Sequence, residues 1–130
     1  MPAETIPTAG IVLAAGASSR LGRPKQLLNI GETALLERVA TAAAESHLSS
    51  IMVVLGHKAA AIQSALRSTW RHPKIHPLVN PNYRDGMASS LKAGLAAVRE
   101  SVASVMVILG DQPFINPYLI DCLLEQFRAS

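Results

Sequence analysis

Short apolar runs alternate with helical patterns along this chain. The runs occupy residues 11–14, 51–55, 75–79 and 105–109. Two of them are continuous aliphatic runs without alternating polar residues, a pattern that is typical of parallel strands buried on both faces of a sheet. The pattern therefore predicts four strands, separated by connecting segments with a different periodicity.

The connecting segments carry apolar residues at helical spacing, which predicts four amphipathic helices. Their apolar faces consist of Leu35, Leu36, Val39, Ala42 and Ala43; of Ile62 and Leu66; of Leu91, Leu95 and Val98; and of Ile120, Leu123, Leu124 and Phe127. The last helix also has start signals, because Asn116 can cap its first turn and Pro117 suits the first helical position. The alternation of strand and helix predicts an α/β fold with right-handed crossovers. We expect a three-layer, Rossmann-like sandwich in which a mainly parallel sheet has helices on both faces.

The composition fits one globular domain over residues 1–130. Apolar residues make up 49% of the chain and charged residues 16%, so a packed core is expected and disorder is not. The net charge of +3 is spread along the chain, which argues against a nucleic-acid partner. No apolar run approaches the roughly 20 residues that span a bilayer, and residues 1–8 lack the features of a signal peptide. The single cysteine, Cys122, gives no support to an oxidising compartment, so we expect a cytoplasmic protein. Because no apolar run is long enough to span a bilayer, we expect no membrane partner.

The loops after the strands are the expected place for a ligand, because open parallel sheets bind ligands at the carboxyl ends of their strands. The loop after the first strand contains Gly16 among small neighbours, which lets the backbone approach phosphate oxygens, and the cations Arg20 and Lys25. The loop matches neither the P-loop nor the dinucleotide fingerprint. Its composition alone leaves open a flexible basic connection between strand and helix.

Asp111 is a second candidate for ligand chemistry. It stands at the carboxyl end of the fourth predicted strand, where Mg²⁺ and triphosphate oxygens could meet its carboxylate. The alternative is that Asp111 caps the turn before Pro113. The histidines form no pattern, and His47 and His57 are expected in exposed loops.

Three segments give the chain a specific resemblance. Residues 13–28 read Leu-Ala-Ala-Gly, then Ser, Arg and Gly at alternate positions, then Lys25 followed by Gln-Leu-Leu. Residues 80–94 contain Asn-Pro, Gly-Met, Ser-Leu and Gly in that order, and residues 109–113 read Leu-Gly-Asp-Gln-Pro. Together they resemble the signature of nucleotidyltransferases with the nucleotide-diphospho-sugar transferase fold. The MobA-like proteins are the most similar members and, among these, the molybdenum cofactor cytidylyltransferases, whose branch also matches Gly56-His57.

The resemblance implies a role for each segment. Lys25 would carry the charge of the phosphates and Arg20 would assist at the triphosphate, so these two are the expected catalytic residues. Asp111 would hold Mg²⁺, the implied cofactor. The nucleotide would be bound by Leu13, Ala14, Ala15, Gly16, Lys25, Asn80, Gly86 and Ser90. From the residues alone, Ser90 could equally be a helix-start residue that satisfies its own backbone.

The implied activity is transfer of a nucleoside monophosphate from an NTP to a phosphorylated acceptor, with release of pyrophosphate. Ala15 stands where GTP-using relatives carry glycine, so CTP is expected over GTP, with molybdopterin as the acceptor in molybdenum cofactor biosynthesis. A sugar-phosphate or alditol-phosphate acceptor is a close alternative, and a non-catalytic nucleotide-binding module is another. A nicotinamide-dependent oxidoreductase is disfavoured, because the chain lacks Gly-x-Gly-x-x-Gly and an acidic residue after the second strand.

The chain departs from the family's pattern at its C-terminal end. Family domains continue past the helix that follows the metal-binding segment, and they add strands, acceptor contacts and a second region of metal ligands. This chain corresponds to the N-terminal, nucleotide-binding portion and ends at Ser130. We therefore expect nucleotide binding with little or no transfer to an acceptor, and an exposed sheet edge beside an apolar helix face.

Overall fold

The computed structural model describes residues 7–16, 29–30, 33–112 and 114–129. Strands and helices alternate along most of this part of the chain. The elements, in chain order, are β1 (Thr8–Ala14), β2 (Asn29–Ile30), β3 (Thr33–Ala34), α1 (Leu35–Glu45), β4 (Ile51–Leu55), α2 (Ala59–Ala65), β5 (Ile75–Val79), α3 (Met87–Val98), β6 (Ser104–Leu109) and α4 (Pro117–Ala129). Two 3₁₀ turns, Thr69–Arg71 and Tyr83–Asp85, precede β5 and α3.

Four strands form a parallel sheet in the order β5-β4-β1-β6. They are the four strands that the apolar runs predicted. All seven residues of β1 are buried, as expected for a strand covered on both faces. The chain moves from β1 to β4 and β5 on one side and returns to place β6 on the other. The strand order therefore reverses between β1 and β6, and such a switch point opens a crevice at the carboxyl ends of the strands.

Helices cover both faces of the sheet, which confirms the predicted layers. The larger core cluster joins one face of the sheet to α1, α2 and α4 through Leu36, Ile62 and Ile120. The smaller cluster joins the opposite face to α3 through Val98, against which Leu91 and Leu95 pack. In each case the buried side chains repeat at helical spacing, so the periodicity of the sequence explains which surface of the helix meets the sheet.

The last helix differs in part from its predicted packing. Asn116 caps it as expected, since the backbone N–H of Leu119 donates to Asn116 Oδ1 at 2.8 Å. Ile120 and Leu124 are buried, whereas Leu123 is 48% exposed and Phe127 58% exposed. Ile120 and Leu124 lie one turn apart, in the core cluster that also contains residues of α1. Leu123 and Phe127, on the same predicted apolar face, lie outside that cluster.

One pair of strands was not predicted from the sequence, whereas an exposed sheet edge was expected. The strands β2 and β3 form a small antiparallel pair, and two residues each are too few to show a periodicity. On the outer strand β6, Val107 is 45% exposed and Leu109 38% exposed, because α3 lies over β1 and β4. Among the described residues, no helix is both long enough and apolar enough to cross a membrane.

Candidate functional site

Residues 13–16, at the carboxyl end of β1, lie at the switch point. They contribute mainly backbone atoms to the candidate site. Leu13, Ala14 and Ala15 are all buried, at 9%, 5% and 5% exposure, so their side chains belong to the core. The carbonyl oxygen of Ala15 accepts a hydrogen bond from the backbone N–H of His57 at 3.1 Å. Gly16 is exposed, and a Cβ added there would have no atom within 4 Å. A ligand can therefore approach the main chain at Gly16, beside a segment that is fixed to the end of β4.

The end of β6 closes tightly against this segment. The backbone N–H of Gly110 donates to the carbonyl oxygen of Leu13 at 3.0 Å. A Cβ on Gly110 would lie 3.0 Å from that oxygen and 3.1 Å from the Cβ of Ala14, so only glycine allows this approach without a shift. Asp111 follows directly and is exposed. The fold thus brings the predicted metal ligand and the predicted nucleotide segment to neighbouring strand ends.

The donor set at this edge fits a magnesium ion that is shared with a phosphorylated ligand. Within the described ranges, no group of three or more His, Cys, Asp or Glu residues could hold a metal by itself. Mg²⁺ usually keeps several waters and is bound through one or two carboxylates together with substrate phosphates. An exposed carboxylate that directly follows the carboxyl end of β6, as at Asp111, meets that requirement.

Asn80, at the end of β5, is buried and bonded within the protein. It is 3% exposed, and so is Ser90. Its Nδ2 donates to the Oγ atoms of Ser89 at 2.8 Å and of Ser90 at 3.0 Å. Its Oδ1 accepts from the backbone N–H of Asn82 at 3.0 Å. The structure therefore brings Asn80 and Ser90 together, with their polar atoms in contact with each other, and their expected contact with the nucleotide stays a prediction.

Gly86 starts α3 with a backbone that favours glycine. Its φ is 106° and its ψ is 175°, in a region that other residues rarely adopt. A Cβ there would meet no atom within 4 Å, so the restriction is conformational and not one of space. Gly86, Met87 and Ala88 are all exposed, which leaves this turn open to a ligand.

His57 and Tyr83 form a pair that the sequence did not reveal. His57 is half-buried, which corrects the expectation of an exposed loop position, because its ring packs edge-on to Tyr83 with centroids 6.0 Å apart. His57 Nδ1 and Tyr83 Oη are 3.5 Å apart. A Cβ on Gly56 would overlap the Cβ of Tyr83, so the glycine makes room for the aromatic side chain. The Gly-His pair after the second predicted strand was the available signal, but nothing in the sequence linked it to Tyr83.

Two of the predicted site residues cannot be placed. Lys25 and Arg20, the expected catalytic residues, lie outside the described residues. Their assignment stays a prediction that rests on the sequence.

The parallel sheet has a crevice at its switch point, with glycines at two strand ends and a carboxylate beside them. These features define a class of protein: an α/β protein of the nucleotide-diphospho-sugar transferase fold. The model of one family, the MobA-like NTP transferase domain, matches residues 10–130. The chain belongs to this family.

Two curated relatives are longer than this chain. It is 35% identical over 120 residues to nicotine blue oxidoreductase of Paenarthrobacter nicotinovorans, covering 92% of this chain and 56% of that protein. It is 26% identical over 121 residues to the bifunctional protein GlmU of Sorangium cellulosum, covering 90% of this chain and 25% of that protein. The chain thus spans about half of one relative and a quarter of the other.

Solved structures agree with the fold. Rv0371c of Mycobacterium tuberculosis superposes with a TM-score of 0.79 at 29% identity, covering 95% of this chain and 62% of that one. The same protein in complex with manganese superposes with a TM-score of 0.75 at 27% identity, covering 97% and 61%.

Proposed function

We propose that this protein binds a nucleoside triphosphate at the switch point and transfers its monophosphate to a phosphorylated acceptor. The observation that carries the proposal is the closure of β6 on β1, where the N–H of Gly110 donates to the carbonyl oxygen of Leu13, so that Asp111 follows a strand end that lies against the end of β1. Membership of the MobA-like NTP transferase domain family supports the same chemistry.

The reaction needs positioning and charge neutralisation more than covalent help. An oxygen of the acceptor phosphate attacks the α-phosphorus in line, the bond from the α-phosphorus to the oxygen shared with the β-phosphate breaks, and pyrophosphate leaves. We assign Lys25, with Arg20, to the charge of the triphosphate and the backbone around Ala15 and Gly16 to the nucleotide. Asp111 would hold Mg²⁺, which supplies positive charge to the phosphate oxygens.

We further propose CTP as the preferred nucleotide and molybdopterin as the acceptor in molybdenum cofactor biosynthesis. Both assignments rest on the resemblance to the cytidylyltransferase branch, which Gly56-His57 and the Gln112 that follows Asp111 match. A sugar phosphate or alditol phosphate is the alternative acceptor. A nucleotide-binding module without turnover is the alternative role, and a cytoplasmic location is proposed for either.

A second candidate function is oxidation or reduction of a small molecule. The specific observation in its favour is the 35% identity to a protein named nicotine blue oxidoreductase. Against use of a nicotinamide dinucleotide, β4 ends in Leu55 and Gly56, with no acidic residue to bind a ribose.

Thermal stabilisation by ligands separates these functions, because a ligand that binds only the folded state raises its stability. The chain would be heated with CTP, GTP, ATP or NAD, each with and without Mg²⁺. We expect the largest rise in Tm with CTP and Mg²⁺; at a ligand concentration 100 times its Kd the gain is about 2.7 kcal/mol. Stabilisation by NAD alone would overturn nucleotidyl transfer in favour of the oxidoreductase.

Pyrophosphate release separates turnover from binding. Release from CTP that depends on molybdopterin would support transfer to that acceptor, and release that depends on a sugar phosphate would redirect the assignment to the alternative. Strong CTP binding without release in either case would support a binding module.

A further inference from the structure

The side chain of Asn80 has no hydrogen atom left for a ligand. A primary amide has two N–H donors, and those of Asn80 point to Ser89 Oγ at 2.8 Å and Ser90 Oγ at 3.0 Å. The backbone N–H of Asn82 can only donate, so the atom of Asn80 that faces it at 3.0 Å must be Oδ1. That contact fixes which end of the amide is which. With 3% exposure as well, Asn80 is placed to act inside the protein and not on a nucleotide.

Ser89 closes a ring of hydrogen bonds with Asn80. Its Oγ accepts from Asn80 Nδ2 and donates to the carbonyl oxygen of Asn82 at 3.0 Å. The N–H of Asn82 in turn donates to Asn80 Oδ1. The backbone N–H of Asn80 is itself bonded to the carbonyl oxygen of Leu55 at 2.7 Å. The ring therefore ties the first turn of α3 to the ends of the neighbouring strands β5 and β4.

The segment enclosed by this ring is an exposed turn between β5 and α3, at the carboxyl edge of the sheet. Gly86 holds a φ of 106°, and Gly86, Met87 and Ala88 are exposed. A short turn with an unusual backbone angle needs its surroundings to define it, since that conformation is sparsely populated otherwise. The side-chain hydrogen bonds of Asn80 and Ser89 add to the backbone bonds within the turn, where the N–H of Ser89 donates to the carbonyl oxygen of Gly86 at 3.1 Å.

We propose that Asn80 and Ser89 are positioning residues that hold the exposed turn from Gly86 to Ala88 in the shape that the nucleotide contacts. The proposal rests on the proposed function for the identity of the ligand. It changes the expected role of Asn80, which acts through the turn without touching the base or ribose. It also adds Ser89, which was not among the predicted site residues.

Three serine variants test the positioning role. Ser89→Ala removes the hydroxyl from the ring, Ser89→Thr keeps it, and Ser101→Ala is the matched control. Ser101 Oγ donates to the carbonyl oxygen of Val98 at 3.1 Å, so the control loses a comparable hydrogen bond at the far end of the same helix. We expect Ser89→Ala to weaken CTP binding with Mg²⁺ about fivefold to tenfold in calorimetric titration, because one hydrogen bond is worth about 1 kcal/mol. Ser89→Thr and Ser101→Ala should bind within about twofold of the unmodified chain.

A double-mutant cycle separates positioning from direct contact. If Asn80 acts through Ser89, adding Ser89→Ala to Asn80→Ala should weaken CTP binding by less than about twofold further. If Asn80 contacts the nucleotide by itself, the two losses multiply, and this result would overturn the proposal. Should Asn80→Ala fail to fold, the Ser89 series decides the question, because Ser89 is only half-buried and its loss leaves the core intact.

Hydrogen exchange tests the inference without any nucleotide. The amides of residues 87–90 should exchange faster in Ser89→Ala than in the unmodified chain, and the Ser101→Ala control should leave them unchanged. If the unmodified chain binds no NTP, the proposed function fails, while faster exchange still supports the positioning role. Unchanged exchange in Ser89→Ala would overturn that role whatever the nucleotide result.

Discussion

Single residues at the carboxyl edge of the sheet divide into those that offer side chains and those that offer backbone. Asp111 is an exposed carboxylate, whereas Leu13, Ala14 and Ala15 are buried and present only main-chain atoms. Gly16 and Gly110 allow close approach, the first to a ligand and the second to β1. A substitution at this edge should therefore act either on ligand charge or on the fit of the backbone, and the two effects can be measured separately.

Lys25→Ala tests the charge proposed for the triphosphate. A charge-assisted hydrogen bond contributes roughly 1.5–3 kcal/mol, so the variant should bind CTP at least about tenfold more weakly. Calorimetric titration measures the affinity, and urea unfolding should show a much smaller effect on stability. Equal affinities of the variant and the unmodified chain would remove Lys25 from the site.

Asp111→Asn tests the proposed metal ligand. The change keeps the size of the side chain and removes the negative charge that a hard cation requires. We expect the Mg²⁺-dependent part of nucleotide binding to disappear while the metal-free part remains. Titration of CTP with and without Mg²⁺ measures both parts. An unchanged magnesium dependence would favour the alternative in which Asp111 caps the turn before Pro113.

Ala15→Gly tests whether the methyl group of Ala15 determines the preference for cytosine over guanine. The comparison with GTP-using relatives implies a methyl group beside the base, but Ala15 is 5% exposed and packs in the cluster that contains Val54. We therefore expect the ratio of CTP to GTP affinity to change by less than about threefold, with a loss of about 1 kcal/mol in stability from the added freedom of glycine. Competition binding at equal Mg²⁺ measures the ratio. A tenfold narrowing of the preference would show that the methyl group meets the base after all.

Whole elements were predictable where the sequence has a period. The runs at residues 51–55 and 75–79 became β4 and β5 with the predicted bounds. In β4 the reason is plain, because a strand buried on both faces needs uninterrupted apolar residues. The stripe of Leu35, Leu36 and Val39 became the buried face of α1. The strands β2 and β3 are too short to show a period.

The site was predictable in its location and less so in its contacts. Parallel strands bring their carboxyl ends to one edge, so Gly16 and Asp111 could be expected at neighbouring positions. The hydrogen bonds of Asn80 with Ser89, and the packing of Tyr83 over Gly56, depend on side-chain directions in turns, and no periodicity encodes these. Such contacts can be identified only from a three-dimensional structure.

Gly56→Ala tests the packing between the turns that follow β4 and β5. The added methyl group would overlap the Cβ of Tyr83, so the 3₁₀ turn at Tyr83–Asp85 must shift. Overpacking of this kind costs about 1–3 kcal/mol, which urea unfolding would measure. The matched control is Gly16→Ala, where a Cβ meets no atom within 4 Å and stability should change by less than about 0.5 kcal/mol. Equal stabilities of the two variants would show that the turn at Tyr83–Asp85 can shift without loss of stability.

The molecule as a whole is built from two unequal layers on one sheet. Three helices cover the face of the larger cluster, and α3 is the helix of the described chain that packs on the other. On that second face Gly94 lets α3 come close to the sheet, because a Cβ there would lie 2.7 Å from Ile11 Cγ2 and 3.3 Å from Val54 Cγ2. The close approach of α3 thus depends on the absence of one side chain.

Gly94→Ala tests this contact between layers. Ile11 sits fully buried in the central strand and is branched at Cβ, so it has little freedom to move aside. We expect a loss of about 1–3 kcal/mol in the free energy of unfolding, although alanine is the better helix former. Ala96→Ser, at an exposed position of the same helix, is the control and should change stability by less than about 0.5 kcal/mol. A more stable Gly94→Ala protein would contradict the close packing.

The pairing of β1 with β6 joins strands that are far apart in the sequence, which affects how the chain folds during synthesis. Thr8 and Ser104, joined by a hydrogen bond of 2.8 Å between their hydroxyl groups, are 96 positions apart in the sequence. During synthesis β1 leaves the ribosome well before β6, which is one of its two neighbours in the described sheet. Contacts this distant in sequence slow folding, because a long loop must close before they form. Until β6 emerges, one edge of β1 is open, and this edge can pair with another chain.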